Sequence, residues 1–155
     1  VDSSPNNVKP ELVVTRLFRA PRALVWKAWT DPKQSIQWFG PRRHPATQVE
    51  SDFRPGGGYR YRLTSPDGSE ELWLSGFYRE IVEPERLVFT FAWDGNDGKP
   101  ENEMLIAITF AEEGAHTKMT LHQTGFRAVD QRDGHDEGWN SSFDRLEEYL
   151  VKSIS

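Results

Sequence analysis

The sequence predicts an α+β fold: a meander of about seven antiparallel strands packed on one long C-terminal helix, with two short helices after the first strand. Two observations carry this. From about residue 45 to residue 123 the apolar residues recur with period two, the spacing of strands with one buried face. In the final segment they recur as Trp139, Phe143, Leu146 and Leu150, in steps of four, three and four, which puts them on one side of a helix. A meander must bury one face, and the terminal helix is the available cover. At 155 residues the chain has the length of one domain. No internal repeat interrupts it.

The elements follow in order. Residues 1–10, VDSSPNNVKP, lack the apolar core of a signal peptide and are expected to form a flexible tail before a single domain over 11–152. ELVVTRLFRA (11–20) is rich in β-branched and apolar residues and reads as a strand ended by Pro21. RALVWKAWTD places Leu24, Val25, Ala28 and Trp29 on one helical face. Asp31-Pro32 ends that helix, because a residue before proline avoids the α region. PKQSIQWFGP (32–41) is a second short helix with Pro32 at its start and Gly40-Pro41 as its stop. ATQVESDF, YRYRL, ELWLSGFYREIV, RLVFTFAW, EMLIAITFA and HTKMTLHQ are then six strands. In YRYRL, Tyr59, Tyr61 and Leu63 share one face and Arg60 and Arg62 the other. The last helix begins at about Asp133.

Composition narrows the chemistry. With no cysteine there is no disulfide, no thiol nucleophile and no thiolate-bound zinc, and an intracellular, cytoplasmic chain is the expectation. A net charge of −5 argues against nucleic acid as a partner. No apolar run approaches the ~20 residues of a membrane span. The glycines of RPGGG are followed by a strand and not by Lys-Ser or Lys-Thr and a helix, so they read as a turn and not as a phosphate loop. His44, His116, His122 and His135 form neither an i, i+4 pair nor an HxH pair, and there is no GxSxG elbow. No metal or other cofactor is implied.

The stretch GHDEGWNSSFDRLEEYL (134–150) concentrates a histidine, acids and a tryptophan. On a helix His135 and Glu137 point to different sides and cannot share an ion. Asp136 and Glu137 are expected in the first turn, where carboxylates complement the helix dipole. His135 lies one turn before Trp139 and should face inward. Gly138 costs a helix about 1 kcal/mol relative to alanine and leaves room for close approach.

Taken together, the chain resembles the SRPBCC (START/Bet v 1-like) superfamily, and within it the branch of the activator of Hsp-90 ATPase. The residues that carry the likeness are RLFRAPRALVWKAWTDP (16–32), WFGP (38–41), FRPGGGYRY (53–61), GFYREIVEPERLVFTFAW (76–93), TKMTLH (117–122) and GHDEGWNSSFDRLEEYL (134–150). The resemblance implies a helix-grip, a curved sheet wrapped around the C-terminal helix with a cavity between them. Strand alternation then nominates the residues facing that cavity: Tyr59 and Tyr61; Leu74 and Tyr78; Phe89, Phe91 and Trp93; Ile106, Ile108 and Phe110; Met119 and Leu121. Gly76, between Leu74 and Tyr78, should leave space that a larger side chain would fill. Trp38 and Phe39 are expected near an opening, and His135, Trp139, Ser142, Phe143 and Leu146 form the helix wall. Tyr59, Tyr61, Tyr78, Ser142 and His135 are the polar groups that could orient a ligand.

Three functions are compatible with this reading. The first is binding of a small, largely apolar or aromatic molecule in the cavity. The second, implied by the branch resembled, is a chaperone partner met through the outer surface. The third is a cyclase- or hydrolase-like enzyme using His135 and an inward tyrosine as acid and base, although no activated nucleophile is visible. A monomer or a homodimer fits the sequence equally.

Overall fold

The computed structural model describes residues 9–154; the expected tail lies outside them except for Lys9 and Pro10. The elements are β1 (Leu12–Phe18), α1 (Arg22–Thr30), α2 (Pro32–Ser35), β2 (Ala46–Ser51), β3 (Gly58–Thr64), β4 (Glu71–Val82), β5 (Arg86–Asp94), β6 (Pro100–Glu113), β7 (His116–Thr124) and α3 (Val129–Ile154). All seven strands join one antiparallel sheet in the order β1-β7-β6-β5-β4-β3-β2. Strands β2 to β7 pair with their chain neighbours. β1 pairs instead with β7, with Val14 opposite Leu121 and Phe18 opposite Thr117, so the two short helices carry the chain from one sheet edge to the other. Register shifts interrupt the ladders at Ala46/Gln48, Tyr78/Glu80 and Phe91/Trp93, and such bulges bend strands.

The predicted faces hold. Tyr59, Tyr61 and Leu63 are buried. Arg60 and Arg62 lie on the outer face, where their guanidinium carbons sit 4.3 and 5.8 Å from the Trp73 ring. His122 also points outward, 2.7 Å from Glu11.

On the inner side α3 buries Trp139, Phe143, Leu146 and Leu150. Its attachment is partly polar. The Arg16 guanidinium, on the inner phase of β1, donates to the Asn140 carbonyl at 3.0 Å and to Asp144 at 2.8 Å. At the centre Trp29 packs near Trp38 (4.8 Å), Trp139 (6.0 Å), Phe143 (6.1 Å) and Phe89 (6.3 Å). Each such ring removes a large apolar area from water. The Trp38 indole donates to the Ala28 carbonyl at 3.0 Å, which ties the segment after α2 back to α1.

Four local expectations need correction. α3 begins at Val129, not Asp133, because Val129 and Asp130 are exposed and the helix's first turn has no apolar stripe to announce it. Asp136 and Glu137 are therefore beyond the first turn, whose acid is Asp130. α2 is only four residues, and Trp38 and Phe39 follow it in a turn. On α1 the buried face includes Trp26, while Leu24 is 40% exposed.

Candidate functional site

Gly40 fixes one wall of the site. Its φ is +92°, a region open to glycine but strained for other residues, and a Cβ there would lie 2.6 Å from the His44 carbonyl oxygen. The tight turn sends Pro41, Arg43 and His44 across the face of α3. Phe39 stacks on Tyr61 with centroids 4.1 Å apart. Arg145 of α3 fastens the same turn, donating to the carbonyls of Gln37 (3.2 Å), Phe39 (3.1 Å) and Gly40 (2.7 Å). Charged donors contribute roughly 1.5–3 kcal/mol per bond, and this guanidinium is partly exposed. Arg145→Met should therefore cost about 2 kcal/mol in urea unfolding; a change near zero would show that the turn holds its shape unaided.

Between this turn, α3 and the ends of β3, β4 and β5 lies a cleft of about 390 Å³. Its apolar walls are Phe39, Pro41, Leu63, Leu72, Leu74, Phe91, Trp93 and Trp139, and its polar groups are Arg43, His44, His135 and Ser142. Gly134 and Gly138, one turn apart on α3, complete it, and a Cβ added at either would meet nothing within 4 Å. No close backbone contact requires these glycines, yet each weakens the helix by about 1 kcal/mol relative to alanine.

His135 stands at the inner end, with Phe126, Phe91 and Trp93 rings 5.3, 5.5 and 6.0 Å away. The Trp93 indole donates to its Nε2 at 3.0 Å. The Trp139 indole donates to Gln123 Oε1 at 2.9 Å. Because an indole can only donate, this turns the Gln123 amide nitrogen toward Met104 Sδ (3.4 Å) and His135 Nδ1 (3.3 Å). A neutral imidazole has one acceptor nitrogen, so only one of these two donors is met, and neither contact offers an acceptor to an imidazolium. Burial pushes the His135 imidazolium down to about 4. Such a group is unprotonated and weakly basic at neutral pH, a poor match for general acid–base work.

Of the sequence-nominated residues, Phe39, Leu74, Phe91, Trp93, His135, Trp139 and Ser142 line this cleft. Tyr59, Tyr61, Tyr78 and Phe89 instead surround a separate void of about 20 Å³ with Trp29, Phe39 and Leu87, room for about one water. Their hydroxyls are engaged: Tyr59 donates to the Thr90 carbonyl at 2.5 Å, Tyr61 to Ser35 Oγ at 2.9 Å, and Tyr78 lies 2.8 Å from Ser51 Oγ. Burial raises the Tyr59, Tyr61 and Tyr78 hydroxyls above their ordinary range. Trp38, Ile108, Met119 and Phe143 are fully buried in the core and line neither space. Gly76 opens no room, since a Cβ there would collide with the Thr90 carbonyl oxygen and lie 2.8 Å from Tyr59 Cε2.

Several site residues were not nominated. Gln123 was within reach of the sequence, because it continues the buried phase of Thr117, Met119 and Leu121. Leu72 was equally within reach, since it continues the inward phase of Leu74 and Tyr78, but Arg43 and His44 had no comparable signal.

A curved antiparallel sheet holding a C-terminal helix, with an apolar cleft at one end, defines a helix-grip domain of the SRPBCC ligand-binding type. The family described as Activator of Hsp90 ATPase homolog 1-like protein matches residues 19–151, and the chain belongs to it. Among solved structures, a protein of Mycobacterium smegmatis is 29% identical, with 92% of each chain covered and a TM-score of 0.79. A protein of Chromobacterium violaceum is 23% identical, covering 91% of this chain and 97% of its own, with a TM-score of 0.81. The AHSA1 protein of Silicibacter pomeroyi is 21% identical, covering 93% and 99%, with a TM-score of 0.85. No curated protein matches. Among the described residues no helix is long and apolar enough to cross a membrane.

Proposed function

We propose that the domain spanning 11–152 binds a small, largely apolar molecule in the cleft between the sheet and α3, as a cytoplasmic binding protein. The observation that carries this is the pair of helix glycines, Gly134 and Gly138, facing open space in the wall of an apolar cleft of about 390 Å³. That volume falls within the roughly 300–1,000 Å³ of small-molecule sites. Burial of the ligand's apolar surface supplies the affinity, at roughly 25 cal/mol per Å². Phe39, Leu74, Phe91 and Trp139 provide the walls, and His135 and Ser142 the polar points.

The test is a thermal-shift screen against apolar and aromatic compounds. A ligand at 100 times its dissociation constant stabilises the fold by about 2.7 kcal/mol. Gly138→Leu should abolish the shifts while leaving the protein as stable as before or up to about 1 kcal/mol more so, since leucine is the better helix former. Ligand shifts that survive in this variant would exclude the cleft.

The family description supports a second reading, a surface that engages a chaperone. Stimulation of a purified Hsp90 homologue's ATPase by both the wild type and Gly138→Leu would favour that reading. The enzymatic alternative draws no support from His135, whose basicity is lowered by burial and whose Nε2 already accepts from the Trp93 indole.

A further inference from the structure

The chain is acidic, with 24 Asp and Glu against 19 Lys and Arg. Its cleft is not. Among the described residues that line it there is no Asp or Glu, and the ionisable ones are Arg43, His44 and His135. Arg43 and His44 stand at the rim on the turn after Gly40, and His135 at the inner end.

The two rim side chains have replaceable partners. Arg43 lies 3.3 Å from Glu137, with side chains 65% and 72% exposed. His44 lies 2.8 Å from Glu70, which is 67% exposed. Exposed ion pairs contribute about 0–1 kcal/mol, so Glu137 can yield Arg43 to an incoming carboxylate at little cost and return to water. An ammonium group would meet the Arg43 guanidinium at the rim. Further in, the one acceptor nitrogen of the neutral His135 ring already takes the Trp93 indole N–H, so the ring has no lone pair to offer an ammonium.

We infer that the ligand is an apolar organic acid, its carboxylate held at the rim by Arg43 beside His44 and its one- or two-ring body enclosed by Phe39, Leu74, Phe91 and Trp139. This rests on the binding function proposed above and narrows it to one charge type. The carboxylate adds orientation: with the head fixed at the rim, the hydrophobic end is directed toward His135.

Three probes of matched shape separate the possibilities by calorimetric titration at low ionic strength: 2-naphthoate, 2-naphthyl methyl ketone and 2-naphthylmethylammonium. The acid should bind about tenfold or more tighter than the amine, with the ketone between them. Arg43→Gln should remove the advantage of the acid over the ketone, costing the acid far more affinity than the ketone. Added salt should narrow the same gap. Equal affinities for all three, or a uniform loss in Arg43→Gln, would overturn the inference. If Gly138→Leu still abolished that binding, the cleft would remain the site for uncharged ligands. Binding of none of the probes at millimolar concentration would count against both the acid and the cleft.

Discussion

Gly76→Ala should destabilise the protein by about 3 kcal/mol or more, a large effect for adding one methyl group. Gly76 lies on the inner face of β4 where the ladder to β5 skips from Ser75 opposite Ala92 to Tyr78 opposite Phe89. Thr90 fills the gap. Its carbonyl takes the Tyr59 hydroxyl at 2.5 Å, and its own hydroxyl accepts from the Phe77 amide at 2.8 Å. A Cβ would meet that carbonyl, which is backbone and cannot rotate aside, and the Tyr59 ring at 2.8 Å. Relief requires breaking the Tyr59–Thr90 bond or shifting β5. Gly138→Ala is the natural companion, because its Cβ enters open space and should stabilise by up to about 1 kcal/mol. The same substitution thus has opposite signs at two glycines 62 positions apart in the sequence. Equal urea midpoints for the two variants would refute the packing argument.

The protein should also lose stability on mild acidification, through His135. Its pKa lies at about 4 in the fold, against roughly 6.5 in an unfolded chain. Between those values the unfolded chain binds the extra proton and the native state does not, so stability falls as pH falls through that window. Above pH 6.5 both states are neutral and the contribution is complete; below about 4 it has been lost. A displacement of this size corresponds to about 3 kcal/mol, since each unit is roughly 1.36 kcal/mol. His135→Gln keeps an acceptor for the Trp93 indole and removes the titration. Its loss of unfolding free energy between pH 7 and pH 4.5 should be about 2–3 kcal/mol smaller than that of the wild type. Identical losses would mean that His135 protonates in the fold as easily as in water.

The parts legible in the sequence were those set by local periodicity. Alternation along YRYRL and HTKMTLHQ assigned both faces of β3 and β7, and the stripe Trp139–Phe143–Leu146–Leu150 assigned the buried side of α3. The site followed where it sits on those elements, as with Leu74, Phe91, His135 and Trp139. Periodicity also nominated residues on the correct face at the wrong depth. Tyr59 and Tyr61 point inward as expected but meet Thr90 and Ser35 before reaching the cleft. Inward orientation does not distinguish a wall from a floor, because that depends on which ring from α1 or the Trp38-Phe39 turn fills the space opposite. Arg43 and His44 were invisible for another reason: their positions follow from the Gly40 turn, which imposes no repeating pattern.

The pairing of the first strand with the last has a consequence for how the chain reaches this structure. β1 must find β7 across more than a hundred residues, Val14 meeting Leu121, whereas β2 to β7 close by hairpins between neighbours. Contacts of such long sequence separation are entropically late and slow folding. During synthesis β1 emerges first and waits for its partner to leave the ribosome, with Val13 and Leu17 on its outer phase, residues that stay 62% and 51% exposed even after folding. Arg16, next to Leu17 in the chain, points the other way and finds Asn140 and Asp144 only once α3 has been made. Arg16 thus links the edge strand added at β7 to α3, the helix that walls the cleft.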